Sequence, residues 1–197
     1  LLLSAVLTVV GLAFAWLTGL YCTLVALLAA AIADSYVTLG KKTGLPGNAM
    51  VSFCVAVPFL YGSILVSERL VPLVVVFATI AFLANLGREV NKGIVDIPGD
   101  AAKGVKTVAV RHGPKAAAIL AAAFYLCAVA LSVVPPLLSW VSWLYLPPIV
   151  ITDAGFIWAS LSILRDHSRG NARRVKNSVL LWMTTGMVAF LAGSIAF

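Results

Sequence analysis

Two carboxylates, Asp96 and Asp100, stand four residues apart in a chain that is otherwise almost entirely apolar. Carboxylates held this close repel each other, and the repulsion favours a bound cation. Mg²⁺ prefers one or two carboxylates together with phosphate oxygens. Basic side chains flank the pair on both sides, namely Arg88, Lys92, Lys103, Lys106 and Arg111. The stretch therefore predicts a divalent cation that bridges Asp96 and Asp100 to a substrate with several phosphate oxygens.

An ion pair at the membrane interface is the alternative interpretation of the same residues. In that case Asp96 and Asp100 would pair with Lys92, Lys103 or Lys106 and would have no chemical role. In the same way, Arg88 and Glu89 are either part of the site or a structural pair at the end of a helix.

The elements around the two aspartates decide which way they point. On a continuous helix, a spacing of four places both carboxylates on one face. Pro98 disfavours a helical backbone at Ile97, and Gly99 permits a tight turn. We expect the helix that begins near residue 70 to run past the membrane surface and to end here, so that both carboxylates face a shared cavity at its mouth.

The composition predicts an all-α polytopic membrane protein. Hydrophobic residues make up 62% of the 197 residues and charged residues only 11%, which is outside the range of soluble globular domains. A membrane-spanning helix needs about 20 apolar residues. Seven stretches qualify as membrane-spanning helices, at about 1–17, 20–38, 49–66, 70–87, 115–134, 139–163 and 178–197.

Charge placement predicts the orientation in the membrane. Of the fourteen Lys and Arg residues, all except Arg69 fall on one side if the seven helices cross in alternation. The positive-inside rule makes that side cytoplasmic. We therefore expect a multi-pass protein of the cell membrane whose site faces the cytoplasm, with the lipid bilayer as a partner and no nucleic acid. One acid, Asp153, falls near mid-membrane, where an ionisable group is a functional candidate.

The motif around the aspartates resembles that of a known family. Residues 85–100, followed by Gly104-Val105-Lys106-Thr107, resemble the second aspartate-rich motif of the UbiA superfamily of intramembrane prenyltransferases. Residues 36–48 resemble the same family's loop after its fourth helix, and residues 171–174 also fit. The opening of the motif at residues 87–93 is most similar to the branch that makes archaeal ether lipids.

The resemblance implies a bundle of nine helices with two aspartate-rich motifs. The seven stretches would correspond to the third to the ninth helix. Nothing in the sequence matches the first motif, Asn-Asp-x-x-Asp-x-x-x-Asp. We therefore expect residues 1–197 to form one transmembrane prenyltransferase domain from which two N-terminal helices and the first motif are missing. The family often has Tyr-x-x-x-Lys in the loop after its fourth helix, whereas here Tyr36 is followed by Gly40 at the lysine position.

The resemblance also implies a reaction. It is a Mg²⁺-dependent transfer of a prenyl group, with geranylgeranyl as the first candidate, from a prenyl diphosphate to geranylgeranylglyceryl phosphate or to a hydroxybenzoate-like aromatic, with release of diphosphate. Asp96 and Asp100 would bind the metal and, with Tyr36, serve catalysis. The implied diphosphate contacts are Lys41, Lys42, Arg88, Asn91, Lys92, Lys103 and Lys106.

Two other classes of membrane protein compete with this reading. A CDP-alcohol phosphotransferase needs Asp-x-x-Asp-Gly-x-x-Ala-Arg, which this sequence does not contain. A transporter or channel subunit for an anionic substrate would line the membrane midplane with charge, and Asp153 is the one strong candidate there.

Overall fold

The computed structural model describes residues 2–195, and it is helical along nearly all of that length. The α-helices are α1 (Leu2–Leu17), α2 (Leu20–Thr38), α3 (Leu45–Ser67), α4 (Pro72–Val95), α5 (Ile97–Ala102), α6 (Val108–Ser132), α7 (Val134–Leu137), α8 (Leu146–Arg165) and α9 (Arg169–Ser194). Short 3₁₀ turns form at Gly40–Lys42 and Trp143–Tyr145. The predicted all-α class is confirmed.

Among residues 2–195, six helical segments are long and apolar enough to cross a membrane, whereas seven were predicted from the sequence. The segments are Leu20–Thr38, Leu45–Ser67, Pro72–Val95, Val108–Leu137, Trp143–Arg165 and Arg169–Ser194. The exception is α1, which has 16 residues. The described part of that helix is about 24 Å long at about 1.5 Å per residue, against the roughly 30 Å of a bilayer's hydrocarbon core.

Prolines mark several helix boundaries, as the sequence suggests. Pro72, Pro98 and Pro147 each stand in the first turn of a helix, where the missing N–H is not needed for an intrahelical bond. In α6, Gly113 adopts φ +83° immediately before Pro114 and kinks the helix. The predicted start of this span near residue 115 therefore coincides with the kink, and a further turn precedes it.

Helix α9 begins at Arg169, nine residues before the predicted start at 178. Its first turns are basic rather than apolar, so hydropathy alone does not reveal them. Two local features favour the helix. The Ser168 side chain accepts a hydrogen bond from the backbone N–H of Asn171, and arginine and lysine have high helix propensity.

The densest packing joins α4, α6, α8 and α9. Tyr125 on α6 has no exposed surface and contacts Phe156 on α8, with ring centroids 5.5 Å apart. It also lies over Gly87 on α4, where a Cβ atom would come within 2.6 Å of the Tyr125 ring. Glycine at 87 is therefore what allows α4 and α6 to approach this closely.

The remaining helices α3, α2 and α1 extend from α4 in a row. Helix α2 buries only Cys22 and Thr23, and α1 exposes most of its large apolar side chains. Such exposure suits a protein whose surroundings are lipid, because apolar surface has no cost there.

Candidate functional site

Asp96 and Asp100 lie at the junction of α4 and α5. Asp96 caps the C-terminus of α4 and precedes the first residue of α5, and Asp100 stands in the first turn of α5. The backbone N–H of Asp100 donates to the Asp96 carbonyl oxygen at 2.8 Å, which closes one helical turn between them. The expectation that the helix begun near residue 70 ends here is confirmed. The chain continues into a new helix rather than a tight turn, because Pro98 suits the start of a helix.

The two carboxylates are close enough to affect each other. Both residues are half-buried. Burial raises the pKa of Asp100 above its usual value, the charge of Asp96 raises it further, and the charges of Lys92 and Lys103 oppose that rise. Within residues 2–195, neither carboxylate accepts a side-chain hydrogen bond or forms an ion pair. The interfacial ion pair considered from the sequence is therefore not formed.

Arg88, Glu89 and Lys92 form a small ion network on α4 instead. Arg88 Nη1 lies 3.1 Å from Glu89 Oε1, and Lys92 Nζ lies 3.0 Å from Glu89 Oε2. The structural pair of Arg88 and Glu89, one of the two alternatives from the sequence, is therefore formed. The diphosphate contacts predicted for Arg88 and Lys92 stay predictions, and each cation would have to share its charge between Glu89 and a phosphate.

Asn91 is fully buried between α4 and α9. Its Nδ2 atom donates to the carbonyl oxygen of Ala172 at 3.2 Å. Its Oδ1 atom and the hydroxyl of Tyr125 are both buried without a hydrogen-bond partner among the described atoms. The contact with Ala172 is structural, and no atom of Asn91 is open to a diphosphate in this arrangement, so its predicted phosphate contact stays a prediction.

Two loops that are distant in sequence meet beside the aspartates. The backbone N–H of Lys106 donates to the carbonyl oxygen of Lys42 at 3.2 Å. Gly44 has φ +76°, and a Cβ atom at this residue would collide with the Lys106 carbonyl oxygen. The predicted phosphate ligands of both loops therefore share one end of the bundle. The side chains of that group are exposed: Lys41, Lys42, Lys103 and Lys106.

Gly40 explains the departure from the family's Tyr-x-x-x-Lys pattern. Gly40 is buried, and a Cβ atom there would lie 2.6 Å from Met50 Sδ and 3.3 Å from the Tyr36 ring. A lysine at this position would have to displace those neighbours. Lys41 and Lys42 stand in the same 3₁₀ turn and are exposed. Tyr36 is half-buried on the last turn of α2, and its predicted catalytic role stays a prediction.

Other residues of the motif hold the site's backbone. Thr107 is buried and caps α6 by accepting a hydrogen bond from the Val110 N–H. It packs against Gly93 on α4, and Gly104 provides the positive φ of the loop before it. The Gly-x-x-Thr part of the motif therefore positions the start of α6 against the helix that ends at Asp96.

Arg169 is a neighbour of the site that sequence reasoning missed. Its Nε donates to the carbonyl oxygen of Val95, the residue before Asp96, at 3.0 Å. The bond joins the first residue of α9 to the end of α4 and places a cation at a helix C-terminus, where it is stabilising. From the sequence, the basic residues at 165–176 predict mostly the orientation in the membrane. Only the packing of α9 against α4 distinguishes Arg169 from its neighbours.

An apolar cavity of about 540 Å³ lies between α3, α4, α6, α8 and α9. Asp153 is on its wall, and the Asp153 carboxylate accepts a hydrogen bond from the Ser132 hydroxyl at 2.7 Å. Ser132 is thus the partner that the sequence could not identify. Among the described residues, Asp153 is the one charged residue on the cavity wall, and a transport pathway for an anion would need more charged groups than this.

The aspartate pair fits Mg²⁺ by the chemistry of its donors. Two half-buried carboxylates, one turn apart and free of ion pairs, offer oxygen ligands and leave positions open for phosphate oxygens and water. Among residues 2–195, no group of three or more His, Cys, Asp or Glu side chains comes together to hold a metal alone. A metal at this site would therefore need ligands beyond the pair, and Mg²⁺ commonly takes such ligands from a phosphorylated substrate.

Several archaeal enzymes are similar to this chain. A digeranylgeranylglyceryl phosphate synthase from Archaeoglobus fulgidus is 36% identical over 157 residues, which cover 78% of this chain and 54% of that protein. The enzyme of the same name from Thermococcus kodakarensis is 33% identical over 192 residues, covering 98% of this chain and 68% of that protein. The chain thus spans about half to two thirds of the length of these relatives. The predicted absence of two helices and a first motif stays a prediction.

The fold also matches a solved structure, from work on digeranylgeranylglyceryl phosphate synthase in membranes. The TM-score is 0.88 at 28% identity, and the match covers 99% of this chain and 69% of that one. The model of the UbiA prenyltransferase family matches residues 1–194. This chain belongs to the UbiA prenyltransferase family.

Proposed function

We propose that the protein that carries these 197 residues transfers a prenyl group from a prenyl diphosphate to an acceptor and releases diphosphate. One observation carries the proposal: Asp96 and Asp100 lie one turn apart, half-buried, without an ion pair in the part of the chain described. Two carboxylates kept unpaired beside exposed lysines suit a cation-bridged polyphosphate. Membership in a prenyltransferase family supports the reaction class.

In this proposal Asp96 and Asp100 would hold Mg²⁺. The ion would stabilise the negative charge that develops on the leaving group. Lysines of the two joined loops donate charge-assisted hydrogen bonds to the remaining oxygens. Because the Lys106 N–H is bonded to the Lys42 carbonyl, both loops can approach one diphosphate together. Arg169 holds the end of α4 and so keeps Asp96 in place.

The reaction breaks the bond between the allylic carbon and the diphosphate oxygen, and the electron pair leaves with diphosphate. A nucleophilic atom of the acceptor forms the new bond to that carbon and loses its proton. Tyr36 is proposed to contact the reacting group from the end of α2. The apolar cavity holds the isoprenoid chain away from water, which would otherwise capture the developing cation.

The acceptor proposed first is geranylgeranylglyceryl phosphate, with geranylgeranyl diphosphate as the donor, because the similar archaeal enzymes are digeranylgeranylglyceryl phosphate synthases. A hydroxybenzoate-like aromatic is the second candidate. The basic loops that meet at the site favour a cytoplasmic orientation. Hydrogen bonds tie these loops together at one end of the bundle, through Lys106 to Lys42 and through Arg169 to Val95.

Isotope-labelled geranylgeranyl diphosphate tests the proposal. The purified protein in lipid vesicles is incubated with the donor and each acceptor, with Mg²⁺ or with a chelator, and the labelled product is measured. We expect product only with Mg²⁺, and a loss of at least about a hundredfold in kcat for Asp96→Asn and Asp100→Asn. Glu68→Gln, at an exposed carboxylate at the other end of α3, is the matched control and keeps full activity.

Turnover by both aspartate variants at the wild-type rate would overturn the metal role. A wild-type protein that makes no product with either acceptor, but moves a labelled anion across the vesicle membrane, would favour the transporter reading instead. In that case Asp153→Asn, rather than Asp96→Asn, should reduce the flux.

A further inference from the structure

The apolar cavity of about 540 Å³ between α3, α4, α6, α8 and α9 is the one that the proposed function assigns to the isoprenoid chain. Its volume falls within the roughly 300–1,000 Å³ of small-molecule sites. Its wall is mostly aliphatic and aromatic, with the Asp153–Ser132 pair and a few hydroxyls as the polar positions.

Helix geometry orders the lining residues by depth. At about 1.5 Å per residue, Ala84 lies roughly 18 Å before Asp96 along α4. Phe77 lies roughly 29 Å before Asp96 on the same helix. Phe156 on α8 lies roughly 15 Å before Asp166 and marks the near end, and the Phe190 ring on α9 lies at the depth of the Phe77 ring. The cavity therefore runs away from the aspartates and reaches its far end at Phe190.

Stacked aromatic rings close that far end. Phe77 and Phe190 have ring centroids 3.9 Å apart at an interplanar angle of 14°. Phe59 meets Phe190 edge-on at 6.2 Å, and Tyr145 lies over the other side of Phe77 at 6.2 Å. We refer to Phe59, Phe77, Tyr145 and Phe190 as the aromatic plug.

The plug is held firmly. Tyr145 has no exposed surface, and its hydroxyl donates to the Ser132 carbonyl oxygen at 2.9 Å. The backbone around Tyr145 is in turn packed on Gly193 of α9, where a Cβ atom would come within 3.0 Å of the Tyr145 side chain. A ring that is close-packed and hydrogen-bonded resists displacement, because an inserted methyl group would force its neighbours from their preferred rotamers.

We propose that the aromatic plug sets the upper limit on the length of the isoprenoid chain, with Phe190 as the residue that the chain end meets. This inference rests on the proposed function, since it takes the prenyl donor as the occupant of the cavity. A chain anchored by its diphosphate near Asp96 extends along Ala84 and Ile80 toward Phe190. A donor with one more isoprene unit has to displace the plug and is selected against.

A competition between donors measures the limit. The protein that carries this sequence is given equal amounts of farnesyl, geranylgeranyl and geranylfarnesyl diphosphate, and the products are separated by mass spectrometry. We expect Phe190→Ala to raise the ratio of the twenty-five-carbon to the twenty-carbon product by about tenfold, because space for further apolar burial opens at the chain end. Phe190→Leu should shift the ratio in the same direction by less.

Phe156→Leu is the matched control, because Phe156 lines the same cavity at its near end. Removing volume there widens the cavity without moving its far end, so the product ratio should stay within about twofold of wild type. A second readout needs no turnover. The rise in thermal unfolding temperature caused by each diphosphate reports which chain lengths bind.

Each outcome decides the inference. A wild-type length profile in both Phe190 variants overturns it, and so does an equal shift in the Phe156 variant, which would indicate general loosening. If wild type transfers no prenyl group, the proposed function fails. The stabilisation profile then decides the inference alone: a shift toward longer donors in the Phe190 variants supports the plug, and an unchanged profile overturns it.

Discussion

The backbone N–H of Lys106 donates to the carbonyl oxygen of Lys42 at 3.2 Å, and this bond joins the α2–α3 loop to the loop before α6. Gly44 lies directly over the same Lys106 peptide. The contact requires a residue without a side chain. The arrangement of the candidate diphosphate lysines therefore depends on one glycine in the neighbouring loop.

Gly44→Ala should separate the two loops. The new Cβ would collide with the Lys106 carbonyl oxygen, so the hydrogen bond to Lys42 would break. We expect KM for the prenyl diphosphate to rise by about tenfold, equivalent to roughly 1.4 kcal/mol of binding. Steady-state kinetics at varied donor concentration measure this change.

Gly104→Ala is the matched control for Gly44→Ala. Both glycines have positive φ, but a Cβ atom at Gly104 meets nothing within 4 Å. The two variants share the backbone strain of about 1 kcal/mol or more, and only Gly44→Ala adds the collision. Equal KM values for the two variants would contradict the role of the loop contact.

Asp100→Asn should stabilise the metal-free protein at neutral pH while it abolishes transfer. Burial first, and the charge of Asp96 second, raise the pKa of Asp100 above its usual value. The folded state then binds this proton more tightly than the unfolded chain does. Stability therefore falls as pH rises from the unfolded pKa through the raised folded pKa, and the ionised carboxylate destabilises the fold above that window.

Thermal unfolding in the presence of a chelator checks the expectation for Asp100→Asn. The variant should unfold at a higher temperature than wild type at pH 7, and the difference should shrink as the pH is lowered through the folded pKa. A lower unfolding temperature for the variant at pH 7, or a difference that does not change with pH, would count against it.

Arg169→Gln should weaken the metal site without removing a ligand. Arg169 holds the α4 carbonyl at Val95, so its loss frees the end of the helix that presents Asp96. We expect the Mg²⁺ concentration for half-maximal transfer to rise by about threefold to tenfold, consistent with the loss of an outer contact that orients a ligand. Arg165→Gln is the control, as an exposed arginine at the end of α8. Identical Mg²⁺ titrations of the two variants would refute the positioning role.

Gly87→Ala should destabilise the packing of α4 on α6. An added Cβ would lie 2.6 and 2.8 Å from Tyr125 ring carbons and 3.0 Å from the Ala121 carbonyl oxygen. Overpacking of this kind typically costs about 1–3 kcal/mol. Gly62→Ala, within α3, meets nothing within 4 Å and should be neutral or slightly stabilising by helix propensity. Thermal unfolding of the two variants in one detergent compares them, and an unfolding temperature for Gly87→Ala equal to that of Gly62→Ala would contradict the expectation.

The sequence by itself determined the class of the fold and the centre of the candidate site. Apolar stretches predict membrane helices wherever hydropathy is strong. For α2, α3 and α4, the predicted bounds agree with the observed ones to within two residues at one end or at both. Pro98 and the spacing of Asp96 and Asp100 predicted that α4 ends at the aspartates. These inferences succeed because hydropathy, proline geometry and i to i+4 spacing are properties of one local segment.

Only the tertiary structure decided which charges are free and where the cavity ends. From the sequence, Lys92 could form an ion pair with an aspartate or with Glu89. In the folded protein it pairs with Glu89. The bond from Arg169 to Val95 and the stacking of Phe77 on Phe190 both join helices that are far apart in sequence. Such contacts are set by how the helices pack, and composition and spacing within a segment carry no information about them.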